Sequence, residues 1–146
     1  MIGYMSYRKI DNMKKLFQIG VLLLMSFTSF GQEFISDDNF EDKINEKHSF
    51  GDDDQNIVVV EFWADFNKAN AFQDWEKIKG VKYFRIDVAT APIMKKKFRI
   101  RMAPTLIIFN KGSKEETFKA SLDLLCPVDL KELQESIDDV LIGDKF

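Results

Sequence analysis

The feature that most constrains this sequence is a continuous apolar run from Ile57 to Trp63, followed by a short polar turn. The run begins with four β-branched residues and is short for a helix, so it predicts a strand buried on both faces of a sheet. One acid, Glu61, lies within it. After the turn at Phe66–Asn70, apolar residues recur at helical spacing and predict a short helix over Ala69–Lys79. Its apolar face consists of Phe72, Trp75 and Ile78.

The order of the other predicted elements favours a mixed α/β sheet in one domain, because strands and helices alternate before a final hairpin and helix. The patterns predict a helix starting at Ser36-Asp37, a polar turn over Ser49–Asn56, a strand over Lys82–Val88, a helix over Ala91–Phe98, strands over Thr105–Phe109 and Glu116–Lys119, and a helix over Pro127–Leu141.

Several motifs in this order resemble those of thioredoxins. In that family a buried acid precedes Phe-Trp-Ala, as Glu61 does here, and the following turn has the pattern Trp-Cys-x-x-Cys. Met102-Ala103-Pro104-Thr105 resembles the family signature in which a proline follows a cis peptide bond. Val81–Asp87 and Leu106–Gly112 are similar to the family's next strand and hairpin. The resemblance spans roughly Phe34 to Leu141 and implies an α/β fold, a thioredoxin-like mixed sheet flanked by helices.

The sequence departs from the thioredoxin pattern at the residues that perform its chemistry. Asn67 and Asn70 occupy both cysteine positions, and a carboxamide cannot attack a disulfide as a thiolate does. Tyr83 occupies the position of a lysine common in the family, and the stretch from Asn70 to Asp87 is shorter than usual. We therefore expect a thioredoxin-like domain that is redox-inactive and needs no cofactor.

The resemblance implies a groove beside the cis-proline that holds peptide backbone next to the turn. Without cysteines, the same groove suggests a protein- or peptide-binding module. Asn67 is a candidate helix cap there, and the alternative is an ordinary capped turn without a binding role. The predicted groove residues are Phe66, Asn67, Lys68, Asn70, Ala103 and Pro104.

Glu61 and Cys126 are the other candidate functional residues. A buried carboxyl tends to have a raised pKa and could transfer a proton, but the alternative is an acid that only hydrogen-bonds locally. Cys126 precedes Pro127, a good first helical residue, so the thiol could lie at a helix N-terminus where a thiolate is favoured. This suggests a thioredoxin-type oxidoreductase using one thiol. The alternative is a small buried side chain among Leu122, Leu124 and Leu125.

Residues 1–31 read as a targeting segment. Met13-Lys14-Lys15 is a short positive region, Leu16–Phe30 is apolar, and Ser29–Gly31 offers small residues for cleavage. The apolar run is short for a membrane span. We therefore expect a signal peptide over residues 1–31 and a thioredoxin-like domain over residues 32–146 that is periplasmic or secreted. An uncleaved N-terminal membrane anchor is the alternative.

Charge and composition narrow the expected partners. Removing residues 1–31 takes away four lysines and arginines and one aspartate, which changes the formal charge from −3 to −6. An acidic domain argues against nucleic acid and anionic membranes, and leaves a polypeptide in the cell envelope as the expected partner. The membrane contact would be the N-terminal segment alone, if uncleaved. Cys126 has no second cysteine to pair with, and neither Asp52–Asp54 nor His48 has companions that would make a metal site.

Overall fold

Five strands form one mixed sheet in the computed structural model, which describes residues 32–46 and 56–144. β1 and β2 run parallel to β3, whereas β4 is antiparallel to both β2 and β5. The order across the sheet is β1-β3-β2-β4-β5, and the predicted mixed sheet flanked by helices is confirmed. The elements are β1 (Phe34–Ile35), α1 (Phe40–Asn45), β2 (Ile57–Trp63), β3 (Lys82–Asp87), α2 (Pro92–Lys97), β4 (Thr105–Asn110), β5 (Ser113–Lys119) and α3 (Leu130–Gly143).

Some sequence predictions concern residues outside the described ranges. These are the signal peptide over residues 1–31, most of the polar turn before β2, His48, and the acidic run Asp52–Asp54. They stay predictions.

Strand β2 separates the core into two layers, because its side chains alternate between the faces of the sheet. Val58, Val60 and Phe62 pack in the layer that contains the apolar residues of α1 and α2. Ile57 and Val59 pack in the layer that contains those of α3. Aromatic rings fill the first layer with centroids 5.4–6.3 Å apart, and they belong to Phe40, Phe62, Phe98 and Phe109. Glu61 faces the second layer at the end of β2 nearest the turn.

The helix predicted over Ala69–Lys79 is wrong. The structure has two short 3₁₀ segments instead, Asp65–Asn70 and Trp75–Lys77, and each is followed by a residue with extended backbone, Ala71 and Ile78. The physical reason is that the Phe72 backbone bonds to side chains of the sheet. Its N–H donates to the Glu61 carboxylate at 3.1 Å, and its carbonyl accepts from Arg85 at 2.8 Å. The predicted apolar face still packs on the α3 layer.

Two predicted helix starts are also too early. The first helix begins at Phe40 because Ser36 and Asn39 form a turn, in which the Ser36 N–H donates to the Asn39 side chain at 2.7 Å. The last helix begins at Leu130, where the Asp129 carboxylate caps it by accepting from the Glu132 N–H at 2.8 Å. Pro127 is therefore not the first helical residue, and Cys126 does not lie at the helix N-terminus.

Candidate functional site

The predicted site lies at the end of the sheet where strand β2 ends and strand β4 begins. These strands are antiparallel and pair Phe62 with Thr105, so the chain that leaves β2 meets the loop that enters β4. The Ala103–Pro104 peptide bond in that loop is cis. We call the surface formed by Asp65–Asn70, Met102–Thr105 and Ser121–Cys126 the turn edge.

Asn67 holds the three segments of the turn edge together. Its carboxamide nitrogen donates to the carbonyl oxygens of Ala103 and Leu124, at 2.8 Å each. Its carboxamide oxygen accepts from the Asn70 side chain at 2.8 Å. Asn67 therefore does not cap a helix, as the sequence suggested, but links the turn to the cis-proline loop and to the loop after β5.

The two positions that hold cysteine in thioredoxins are thus a hydrogen-bonded carboxamide pair. Neither Asn67 nor Asn70 offers a nucleophile. The carboxamide nitrogen and oxygen of Asn67 and the carboxamide nitrogen of Asn70 all form hydrogen bonds within the protein. Ala103 and Pro104 are buried, and the Ala103 carbonyl already accepts a bond from Asn67. The predicted groove residues are brought together, but the cis-proline itself is covered.

Exposed apolar side chains lie on two of the chain segments that form the turn edge. Phe66 is 79 % exposed and precedes Asn67, whereas Leu125 is 54 % exposed and follows Leu124. The bond from Asn67 to Leu124 therefore brings their chain segments to one place. A shallow groove of about 370 Å³ beside Leu125 is also lined by Asn70, Phe72 and Cys126. Lys68 is exposed and pairs loosely with Asp65 at 3.8 Å.

Beneath the turn edge, Glu61 is fully buried, and both of its carboxylate oxygens accept hydrogen bonds. One carboxylate oxygen accepts from the Tyr83 hydroxyl and from Arg85 Nε, both at 2.8 Å, and the other accepts from the Phe72 N–H. We call Glu61, Tyr83, Arg85 and the Phe72 backbone the Glu61 cluster. Because Glu61 is closed off from solvent and both of its carboxylate oxygens accept hydrogen bonds, its geometry favours the local hydrogen-bonding role over proton transfer.

Arg85 was missed by the sequence interpretation, although a signal existed. Arg85 lies two residues after Tyr83 on β3, so both side chains point to the same face. It is also the direct cross-strand partner of Glu61, which makes it the cation nearest the buried acid.

Tyr83 stays protonated and acts as a hydrogen-bond donor. Burial raises the pKa of its hydroxyl far above the ordinary value, and the Glu61 charge raises it further. The ring stacks on Phe72 and Trp75, at 5.9 and 6.4 Å between centroids. Tyr83 therefore joins the Glu61 cluster to the apolar α3 layer rather than supplying a titrating group.

Cys126 is partly buried at the turn edge, in the groove that Asn70 also lines. Its thiol donates to the Val128 carbonyl at 3.3 Å. Burial raises the pKa of the thiol, and the nearby Glu61 charge acts in the same direction. The predicted cause of burial was wrong, because Leu122 and Leu125 are exposed and Cys126 packs instead against the α3 layer.

Alkylation of Cys126 by iodoacetamide is expected to be slow in the folded protein at neutral pH and to accelerate on unfolding. The raised pKa lowers the thiolate fraction, and only the thiolate reacts. The pH dependence of the alkylation rate, followed by mass spectrometry, should have a midpoint above that of a free cysteine. Equally fast modification in native and denaturing buffer would identify Cys126 as a reactive thiol.

Within residues 32–46 and 56–144, no three histidine, cysteine or acidic side chains are grouped so that they could hold a metal ion. The helices in the same ranges include none that combines the length and apolar character needed to cross a bilayer.

Comparison with known proteins identifies the family. The sequence matches the thioredoxin family profile over residues 32–130, more than half of the chain. A comparison with curated protein sequences finds no match. Among solved structures, a Malassezia sympodialis thioredoxin is 24 % identical with a TM-score of 0.53, and the match covers 75 % of this chain and 90 % of that one. A mutant Halobacterium salinarum thioredoxin is 17 % identical with a TM-score of 0.56, covering 74 % and 88 %. A designed protein is 18 % identical with a TM-score of 0.57, covering 75 % and 97 %. The chain therefore belongs to the thioredoxin family.

Proposed function

We propose that this protein is an exported, redox-inactive thioredoxin-like domain that binds a polypeptide in the cell envelope at its turn edge. The export part of the proposal rests on the targeting pattern of residues 1–31. The binding part rests on what replaces the dithiol.

The observation that supports redox inactivity is the Asn67–Asn70 pair. Disulfide exchange needs a thiolate that forms a mixed disulfide and a second thiol that resolves it. Here both positions hold carboxamides: Asn70 donates to Asn67, and Asn67 donates to two backbone carbonyls. The two asparagines therefore hold the turn to the neighbouring loops, which argues against a redox site that has merely lost its cysteines.

The binding surface is the apolar rim of the turn edge rather than the backbone of the cis-proline loop. Ala103 and Pro104 are buried, so a partner meets Phe66, Leu125 and the groove beside Leu125 first. Phe66 and Leu125 lie on chain segments that Asn67 joins, and several exposed apolar side chains in one region favour a recognition surface, whereas isolated ones are ordinary. Lys68 and Asn70 add polar groups at the border of this rim.

Peptides selected from a displayed random library on the folded protein should lose affinity when Leu125 is changed to serine. We expect about a tenfold loss, because the variant removes apolar contact area worth about 1.5–3 kcal/mol when fully buried. The matched control is Ile142→Ser. Leu125 and Ile142 are equally exposed, at 54 % and 55 %. Ile142, however, belongs to the last turn of α3, at the opposite end of that helix from Leu130, which lines the groove beside Leu125. Equal loss in both variants would contradict a binding surface at the turn edge.

The second candidate is an oxidoreductase that uses Cys126 alone, and the observation that favours it is the position of Cys126 in the groove beside Asn70. The raised pKa of its thiol argues against it. Insulin disulfide reduction with dithiothreitol separates the two candidates. A rate above the uncatalysed reaction that disappears in Cys126→Ser would contradict redox inactivity and favour the enzyme.

A further inference from the structure

A second concave surface borders the cis-proline loop, because Met102 and Thr105 line it. It has a volume of about 340 Å³. Arg99, Arg101 and Lys119 provide its charged groups, and Ile100, Met102, Thr105 and Ala120 provide the rest. We call it the basic cleft.

The basic cleft has cations but no acid. None of its lining residues is an aspartate or glutamate. None of its three cationic side chains forms an ion pair with another residue in the described part of the chain. Like charges that share a concave surface concentrate positive potential there and favour an anion.

The backbone holds the basic cleft in place at both ends. The Arg99 N–H donates to the Lys96 carbonyl at 3.2 Å, at the end of α2. Lys119 pairs with Thr105 across the β4–β5 ladder, and the next residue, Ala120, donates its N–H to the Pro104 carbonyl at 3.2 Å. The cations therefore extend from two backbone segments that are hydrogen-bonded to neighbouring elements and that meet at the cis-proline loop.

We propose that the basic cleft binds a carboxylate side chain of the polypeptide that occupies the turn edge. The inference rests on the proposed function, because the two surfaces share the loop Met102–Thr105. Asn67 bonds to Ala103, and Met102 and Thr105, which flank Ala103 and Pro104 in the chain, line the basic cleft. Paired arginines suit a carboxylate, since each guanidinium presents a planar fork of donors. The partner therefore contains an acidic residue next to the apolar residues that meet Leu125.

The test uses blocked tri-glutamate and tri-glutamine peptides as probes of the isotopically labelled full chain. Tri-glutamate should shift the NMR amide signals of residues 99–103, 105 and 119–120 and bind about tenfold more tightly than tri-glutamine, since hydrogen bonds to charged groups contribute about 1.5–3 kcal/mol. Arg99→Gln/Arg101→Gln should abolish this preference. The control Lys114→Gln/Lys131→Gln removes the same charge from exposed positions outside the basic cleft and should keep it.

Equal binding of both peptides, or equal loss in both double variants, would overturn the proposal. Inorganic phosphate that competes at the same affinity as tri-glutamate would show a site for small anions and overturn the peptide source. If library-selected peptides bind and depend on Leu125 but ignore Arg99 and Arg101, the basic cleft proposal fails while the proposed function stands. If tri-glutamate binds through the arginines but no peptide depends on Leu125, the proposed function fails.

Discussion

Replacing Arg85 with leucine is expected to lower the free energy of unfolding by about 3–5 kcal/mol, the usual effect of removing one partner of a buried ion pair. The variant leaves the Glu61 carboxylate fully buried without its cation, and it also removes the donor to the Phe72 carbonyl. Urea unfolding followed by circular dichroism measures the change. The short connection after the turn should loosen first, because both of its bonds to the sheet involve this pair.

The double variant Glu61→Leu/Arg85→Leu serves as the matched control for the Arg85→Leu result. It removes both charges together, so it should be more stable than Arg85→Leu alone. Lys97→Ala breaks a pair with Glu41 on the surface, where both side chains are about half exposed, and should cost less than about 1 kcal/mol. A double variant as unstable as Arg85→Leu would show that the guanidinium acts through packing and not through the Glu61 charge.

The sequence predicted the parts of the fold that depend on hydrophobic pattern. The apolar run Ile57–Trp63 became the central strand, and the alternation of strands and helices gave the mixed sheet. Phe72, Trp75 and Ile78 were correctly assigned to the interior, because burial follows from apolar character. Their backbone conformation was not predicted correctly. Apolar spacing alone does not distinguish a helix from two 3₁₀ turns that place the same residues on one face.

The features that the sequence did not predict depend on contacts between residues far apart in sequence. The Phe72 backbone is fixed by Glu61 and Arg85, which are 11 and 13 residues away. The role of Asn67 depends on Ala103 and Leu124, which are 36 and 57 residues away. Such bonds depend on strand register and loop position, and a local pattern contains neither. A buried acid without a visible partner was the available signal, since such an acid needs a cation or donors nearby.

Replacing Asn67 with aspartate is expected to cost about 2–3 kcal/mol of unfolding free energy at pH 7. The change removes a donor that satisfies the carbonyls of Ala103 and Leu124, and hydrogen bonds of this kind contribute about 1 kcal/mol each. It also places a negative charge against two carbonyl oxygens. Those oxygens should raise the pKa of the new carboxyl in the folded state above its unfolded value. The variant should therefore be closest to the parent at low pH and lose stability as pH rises through the folded pKa.

Asn67→Ala separates the lost hydrogen bonds from the added charge. It removes the bonds to Ala103 and Leu124 without adding a titrating group, but it also removes the oxygen that accepts from Asn70, which the aspartate variant keeps. Only the aspartate variant should therefore lose stability as pH rises, and the pH-dependent part of the difference between the two variants measures the added charge. Urea unfolding of both variants between pH 3 and pH 8 measures the two effects, with the parent protein as reference. If the aspartate variant were as stable as the parent at pH 7, Asn67 would not join the turn to the cis-proline loop in solution. The turn edge would then be a less rigid surface, because the bond from Asn67 to the Leu124 carbonyl joins the segment of Phe66 to the segment of Leu125.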